Sequence, residues 1–446
     1  MKKLVYIILF AVGIVQGQNS VKGTISNASE YKYAILYQLK GMNQNYILNA
    51  DIIAGKFSFE MPADASKGVY RLSYNLEHNL FVDFIYNNEA IEVEFDGKNP
   101  TETTNFLISE ENKIHSNYFD EITMARLDAD AKQLAFLKRE DDTSNEALED
   151  AYLDAYQTVT DIQASYEALS EGKLVQHFIK ADAKYYAPEL IQTPQEYLTS
   201  TKEHFFDYID FNDAELNNST VISQKVIDYV FYLNQSDDPQ VQTALYKSAV
   251  LDVLQKIGTN NSLVSEISTV LMYTFIQVKN NTLIDFVLND VYKKLPFEVV
   301  DQVVISEIET KLKLAIGRVA PNFSWVENRV SNNLHKLAGF ENYVIVFWSS
   351  SCSHCLAEIP QVYEYFKDNK KVKVLSISLE KEDVEFKKYA VKYSKWTSIL
   401  GLNKWENSIA KQYNVVSTPT YFILDADKKI IDKPEFLKDV KAFLEK

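Results

Sequence analysis

The stretch Tyr343-Val344-Ile345-Val346-Phe347-Trp348-Ser349-Ser350-Ser351-Cys352-Ser353-His354-Cys355-Leu356-Ala357-Glu358-Ile359-Pro360 contains both cysteines of the 446-residue chain. Its first six residues are an unbroken apolar run, as in a strand buried on both faces. The cysteines therefore fall where a central strand hands over to a helix. Helical spacing puts the sulfurs of Cys352 and Cys355 on one face of the first turn, where free backbone N–H groups and the helix dipole favour a thiolate. A Cys-x-x-Cys beside an α/β pattern reads as a dithiol that cycles with a disulfide.

Four features around this stretch carry a family resemblance. Val319-Ala320-Pro321-Asn322-Phe323 matches an Ala-Pro-x-Phe entry segment, and Phe347-Trp348 leads through three serines into the Cys-x-x-Cys turn. Glu358 stands three residues past the second cysteine, and Val416-Ser417-Thr418-Pro419-Thr420-Tyr421-Phe422 matches a proline-bearing segment. Together they make residues 316–446 similar to the extracytoplasmic TlpA/ResA-like branch of the thioredoxin superfamily. The resemblance implies a thiol-disulfide oxidoreductase with a thioredoxin fold. It also implies a cis Pro419 facing the sulfurs, an acid at Glu358 near the dithiol, and reduction rather than oxidation of client disulfides.

Within that frame Cys352, nearest the helix N-terminus, is the expected attacking thiolate, and Cys355, a turn deeper, the resolving thiol. His354 adds a donor or positive charge beside the thiolate, and Glu358 tunes or shuttles a proton. Thr418 offers backbone hydrogen bonds to an extended client strand, with Pro419 across from the sulfurs, and Trp348 either flanks them as a client contact or serves as a core aromatic. Where thioredoxin carries a buried acid on the strand before the dithiol, this chain has Val346, which shifts proton transfer toward Glu358. Zinc would need two more ligands than the pair supplies, and the remaining histidines show no ligand spacing, so neither metal nor cofactor is expected. A peroxidase of the peroxiredoxin type is an alternative. However, its Pro-x-x-x-Thr/Ser-x-x-Cys motif is missing, since Ile345 stands where the proline belongs.

Elsewhere the sequence reads as multidomain. Met1-Lys2-Lys3 followed by apolar residues 4–15 and Val15-Gln16-Gly17 has the form of a secretory signal peptide, too short for a membrane span. Periplasm or cell envelope is the expected location, without a stable membrane anchor. Residues 18–97 alternate over short segments at 21–25, 33–37, 46–54, 57–60, 69–74, 81–86 and 91–95, which predicts an antiparallel β-sandwich-like module. Residues 98–315 switch to helical periodicity, with Thr193-Pro194 and Asp238-Pro239 as helix starts. They predict an all-helical middle domain whose many tyrosines pack its core. A last α/β domain, 316–446, carries the thioredoxin fold.

Net charge of -16 disfavours nucleic acid as a partner. Expected partners are disulfide-containing protein clients and a thiol electron donor. A binding or assembly role for the first two domains, with the dithiol auxiliary, is the other alternative. Export sharpens the reading of the cysteines. A pair three residues apart closes too small a loop to stabilise a fold, so chemistry is the better reason for it.

Overall fold

The computed structural model describes residues 19–139, 146–327 and 329–445, so the expected leader at 1–17 lies outside the described residues. Two units divide the chain, Met1–Leu271 and Met272–Lys446.

The first unit begins with β1 (Ser20–Ser26), β2 (Tyr33–Lys40), β3 (Asn43–Asp51), β4 (Lys56–Glu60), β5 (Gly68–Asn75), β6 (Leu80–Tyr86), β7 (Ile91–Asp96) and β8 (Asn105–Ile108). They form two four-stranded sheets, ordered β4-β1-β7-β8 and β3-β2-β5-β6. Alternation does the work expected of it. In β4, Phe57 and Phe59 point inward between exposed neighbours. Val21, Phe59 and Val93 from the first sheet share one buried cluster with Leu36, Tyr70 and Phe84 from the second.

Two expectations are corrected in this region. Pairing is not wholly antiparallel, because β1 runs parallel to β7, with Val21 opposite Ile91 and Ser26 opposite Asp96. The chain between them passes through the other sheet, which supplies the long crossover that parallel pairing needs. Nor is the segment after residue 98 purely helical. β8 adds antiparallel to β7 and brings the buried Phe106 into the sheet core.

Helices follow, the longest being Glu110–Leu137 and Glu146–Leu169. They pack side by side, with Tyr118 donating to Gln163 at 2.8 Å and Tyr166 to Glu121 at 2.7 Å. Tyr152, Tyr166, Tyr229 and Tyr246 are core residues, whereas Tyr232 is 70% exposed. Thr193 and Asp238 cap the helices Pro194–Glu203 and Pro239–Ile257. Thr193 and Glu196 form a reciprocal capping box, each side chain accepting from the other's backbone N–H. Thr193→Ala is therefore expected to cost about 1 kcal/mol, read as faster amide exchange in the first turn of Pro194–Glu203.

The second unit takes in the helices Asn281–Phe286 and Gln302–Lys313 ahead of the expected boundary at 315/316. Polar links tie them to the entry segment. Arg318 pairs with Asp285, and the Asn281 amide donates to the Ile316 carbonyl at 3.2 Å. After the antiparallel pair β9 (Ser324–Glu327) and β10 (Val330–Asn333) come β11 (Asn342–Trp348), β12 (Val372–Glu380), β13 (Thr397–Leu402), β14 (Thr420–Leu424) and β15 (Ile430–Asp432). The last five make one sheet, ordered β13-β12-β11-β14-β15. Its first three strands are parallel, and β14 and β15 are antiparallel additions.

β11 is the axis of this sheet. Tyr343, Ile345 and Phe347 enter one buried cluster with Leu375, Ile377 and Phe422. Val344, Val346 and Trp348 enter another with Cys355, Ile359 and Tyr421. A strand that feeds two cores has no face left for polar residues, which accounts for the unbroken apolar run. The helix Ser353–Phe366 covers the second face through Cys355, Ile359, Val362 and Phe366. Residues 397–402, a stretch with little apolar signal of its own, form the parallel edge strand β13, with Thr397, Ile399 and Gly401 turned inward.

Candidate active site

Three serines carry the chain from β11 to the helix, and Cys352 occupies the N-cap position of Ser353–Phe366. Its sulfur takes the place that a serine or aspartate oxygen usually fills, accepting from the Cys355 N–H at 3.2 Å. Across the gap the Cys352 thiol donates to the Thr418 carbonyl at 3.4 Å. The Thr418–Pro419 peptide bond is cis. Both cysteines are free thiols; Cys352 is half-buried and Cys355 fully buried.

That difference separates their acidities. Burial pushes the Cys352 thiol up, but hydrogen bonds from the Cys355 thiol and N–H and the His354 N–H outweigh it, leaving Cys352 below the ordinary thiol range. Deeper burial, with Cys352 as a neighbour, pushes the Cys355 thiol up to about 12. One sulfur is thus prepared as a thiolate at the surface, while the other holds its proton beneath it.

The other predicted residues are brought together unequally. Glu358 faces the inner side of the helix, where its Oε1 accepts from the Tyr421 hydroxyl and the Leu437 N–H, each at 2.8 Å. Burial, and then the Glu358 carboxylate, raise the Tyr421 hydroxyl far above its ordinary range, so it stays a donor. Tyr421 belongs to the same buried cluster as Cys355. His354 is exposed on the first turn. Trp348 is 2% exposed; its indole donates to Ser376 at 2.8 Å and packs on Tyr389, so it is a core residue and offers no surface to a client. Val346 is fully buried, as an apolar strand position should be.

Two charged residues that sequence reasoning passed over hold the serine loop. Glu380, at the end of β12 and 4% exposed, accepts from the Ser350 N–H at 2.7 Å, the Ser350 hydroxyl at 2.8 Å and the Ser378 hydroxyl at 2.6 Å. A signal for it existed: Ser376, Ser378 and Glu380 alternate with Leu375, Ile377 and Leu379 on a strand otherwise apolar. The second is Lys404, whose Nζ donates to Ser351 at 2.7 Å. No comparable signal marks it in the sequence. Among the described residues, no group of three or more His, Cys, Asp or Glu side chains could hold a metal ion.

A dithiol at the head of a helix, beside the central strand of a sheet whose first three strands are parallel, with a cis-proline segment opposite, defines a thioredoxin-like oxidoreductase domain. The family described as thioredoxin-like matches residues 340–430. Curated relatives that resemble this part of the chain include the thiol-disulfide oxidoreductase ResA of Bacillus thuringiensis subsp. konkukian. It is 27% identical over 125 residues, which are 27% of this chain and 70% of the relative. ResA of Geobacillus kaustophilus is 25% identical over 142 residues, 30% of this chain and 79% of that protein. Among solved structures, the thioredoxin domain of a thiol-disulfide oxidoreductase from Bacteroides vulgatus is 27% identical. It spans 30% of this chain and 96% of its own, with a TM-score of 0.26. A thioredoxin-like protein from Bacteroides caccae is 16% identical over 59% of this chain and 97% of its own, with a TM-score of 0.37.

Proposed function

We propose that this chain is an exported thiol-disulfide oxidoreductase that reduces protein disulfides, with Cys352 as nucleophile and Cys355 as resolving thiol. The observation that carries the reading is the unequal pair: a half-buried, acidified Cys352 at the helix cap above a fully buried Cys355 raised to about 12.

The Cys352 thiolate attacks one sulfur of a client disulfide. A bond forms between Cys352 Sγ and that sulfur, the client S–S bond breaks, and the departing thiolate takes a proton from water. Cys355 then loses its proton and attacks Cys352 Sγ, which closes the Cys352–Cys355 disulfide and frees the second client thiolate. Two electrons pass to the client, and an external thiol donor restores the dithiol. Tyr421 and Glu358 receive the proton leaving Cys355, a role supported by the hydrogen bond between them and by the buried cluster that Tyr421 shares with Cys355. His354 stands by the leaving thiolate, while the Thr418–Pro419 segment offers backbone to an extended client strand.

Export to the periplasm or cell envelope is supported by the leader-like residues 1–17. Among the described residues, no helix is long and apolar enough to cross a membrane. The two N-terminal sheets, with their shared core, support a β-sandwich-like module at 18–97. That module and the helical region to residue 315 are assigned to client or scaffold contacts.

Reduction of a model protein disulfide at the expense of an added dithiol tests the activity, and Cys352→Ser must abolish it. The acidities give a second test. A thiolate persists above its own pKa, so a lowered Cys352 keeps reacting to lower pH than a free thiol does. Alkylation of the reduced protein with iodoacetamide is expected to label Cys352 with a midpoint below the ordinary thiol value of about 8.5, leaving Cys355 unlabelled across the neutral range. Equal labelling of both cysteines would overturn the assignment.

A further inference from the structure

Lys404 stands in a turn that is unusual for its residue types. Asn403 and Lys404 both adopt left-handed backbone conformations, with φ of 71° and 48°. Two successive non-glycine residues in that region cost energy that their surroundings must offset, and such sites concentrate where function needs them. The turn follows the end of β13 and opens the short 3-10 turn Lys404–Glu406. Its outcome is the hydrogen bond from Lys404 Nζ to Ser351 Oγ, one residue before the nucleophile.

The bond is part of a short chain of contacts. Ser351 Oγ shares a hydrogen bond with Ser349 Oγ at 3.0 Å, and the Ser349 carbonyl accepts from the Cys352 N–H at 3.1 Å. Glu406, the carboxylate nearest to Lys404 in sequence, pairs with Lys411 instead. The ammonium therefore keeps its charge for the loop. On the opposite side Glu380 anchors Ser350, so the segment before Cys352 is held between a buried anion and a half-buried cation.

We propose that Lys404 is a positioning residue for the dithiol: it fixes the serine loop through Ser351 and lends positive charge to the Cys352 thiolate. The inference rests on the functional reading above. The titratable and charged groups around the nucleophile are His354, Cys355 and Glu358 on its own helix, Glu380 on β12, Tyr421 on β14, Lys404, and Lys438 and Lys441 of the helix Leu437–Leu444, which line the cavity beside His354 and Glu358. Glu358 is engaged by Tyr421 and Leu437, and Glu380 by Ser350 and Ser378. Lys404 is thus the fixed cation bonded to the serine loop, whereas Lys438 and Lys441 lie on the Glu358 side and His354 is charged only when protonated. A cation near a thiolate stabilises the charged form, and with it the reduced state of the pair.

Lys404→Met removes the charge while keeping the side chain's length, and Lys404→Arg restores it. In the full-length chain, Lys404→Met should slow alkylation of Cys352 at pH 7 about threefold and move the pH profile upward. It should also shift equilibrium with glutathione about threefold toward the disulfide. Lys404→Arg should follow the wild type in both measurements, and added salt should narrow the gap between Lys404→Met and wild type, as a charge effect requires. Ser351→Ala, which leaves the ammonium without its acceptor, should lie between the two. If Lys404→Met matches wild type in profile and equilibrium, or Lys404→Arg is as impaired as Lys404→Met, the assignment fails while the dithiol chemistry stands. A wild-type chain that does not reduce protein disulfides at all sinks both.

Discussion

Cys355→Ser is expected to halt the reaction at the mixed disulfide, so that client proteins accumulate in covalent complexes with Cys352. The reason is positional. Cys352 is half-buried and open to an incoming disulfide, whereas Cys355 is 0% exposed and closed to one. Removing the lower thiol leaves attack intact and deletes the step that expels the client. Turnover should fall to background. Bands of higher mass should appear on non-reducing gels and vanish on adding a reductant. The double variant Cys352→Ser/Cys355→Ser should give none. Adducts that survive in the double variant, or their absence from Cys355→Ser, would show that the roles are wrong.

Glu380→Ala should produce the second large effect. Its carboxylate satisfies three donors at 4% exposure, and alanine would strand the Ser350 N–H and two serine hydroxyls in a nearly dry site. Charged hydrogen bonds of this kind, and the cost of leaving buried donors unmet, amount to about 2–4 kcal/mol of stability. Loosening the loop that sets Cys352 should also slow client reduction by about tenfold to a hundredfold. Glu380→Gln, which keeps the shape but offers an N–H to a donor, should lie between. Urea denaturation together with steady-state reduction checks both effects. A stable, fully active Glu380→Ala would remove the carboxylate from any part in holding the site.

The features legible in the sequence were those written in adjacent residues. The apolar run from Tyr343 through Trp348 announces a strand buried on both faces, and Cys352 and Cys355 announce a dithiol at its end. Thr418 and Pro419 are likewise readable as a pair. What failed were properties that depend on which elements become neighbours. Alternation marks β1 and β7 as strands, but it carries no information about partner or direction, so their parallel pairing went unseen. β13 was missed because an edge strand of six residues with Ser398 and Gly401 has little apolar signal of its own.

The same limit governs the site. Glu380 and Lys404 come from separate strand ends that fold over the serine loop, and only the sheet order brings them there. For Trp348 the sequence leaves two readings open, and the structure gives the core one. Its place in the motif suggested a surface role, but the strand's period turns the ring into the core beside Tyr389 and Tyr393.

The clasp at Glu358 makes the tail of the molecule a participant in its chemistry. One of the two donors on that carboxylate is the first amide of the terminal helix Leu437–Leu444, so fraying this helix would strip Glu358 of half its support. Substitutions that loosen the first turn of Leu437–Leu444 should therefore be felt as altered proton traffic at the buried sulfur, before any loss of the fold is seen.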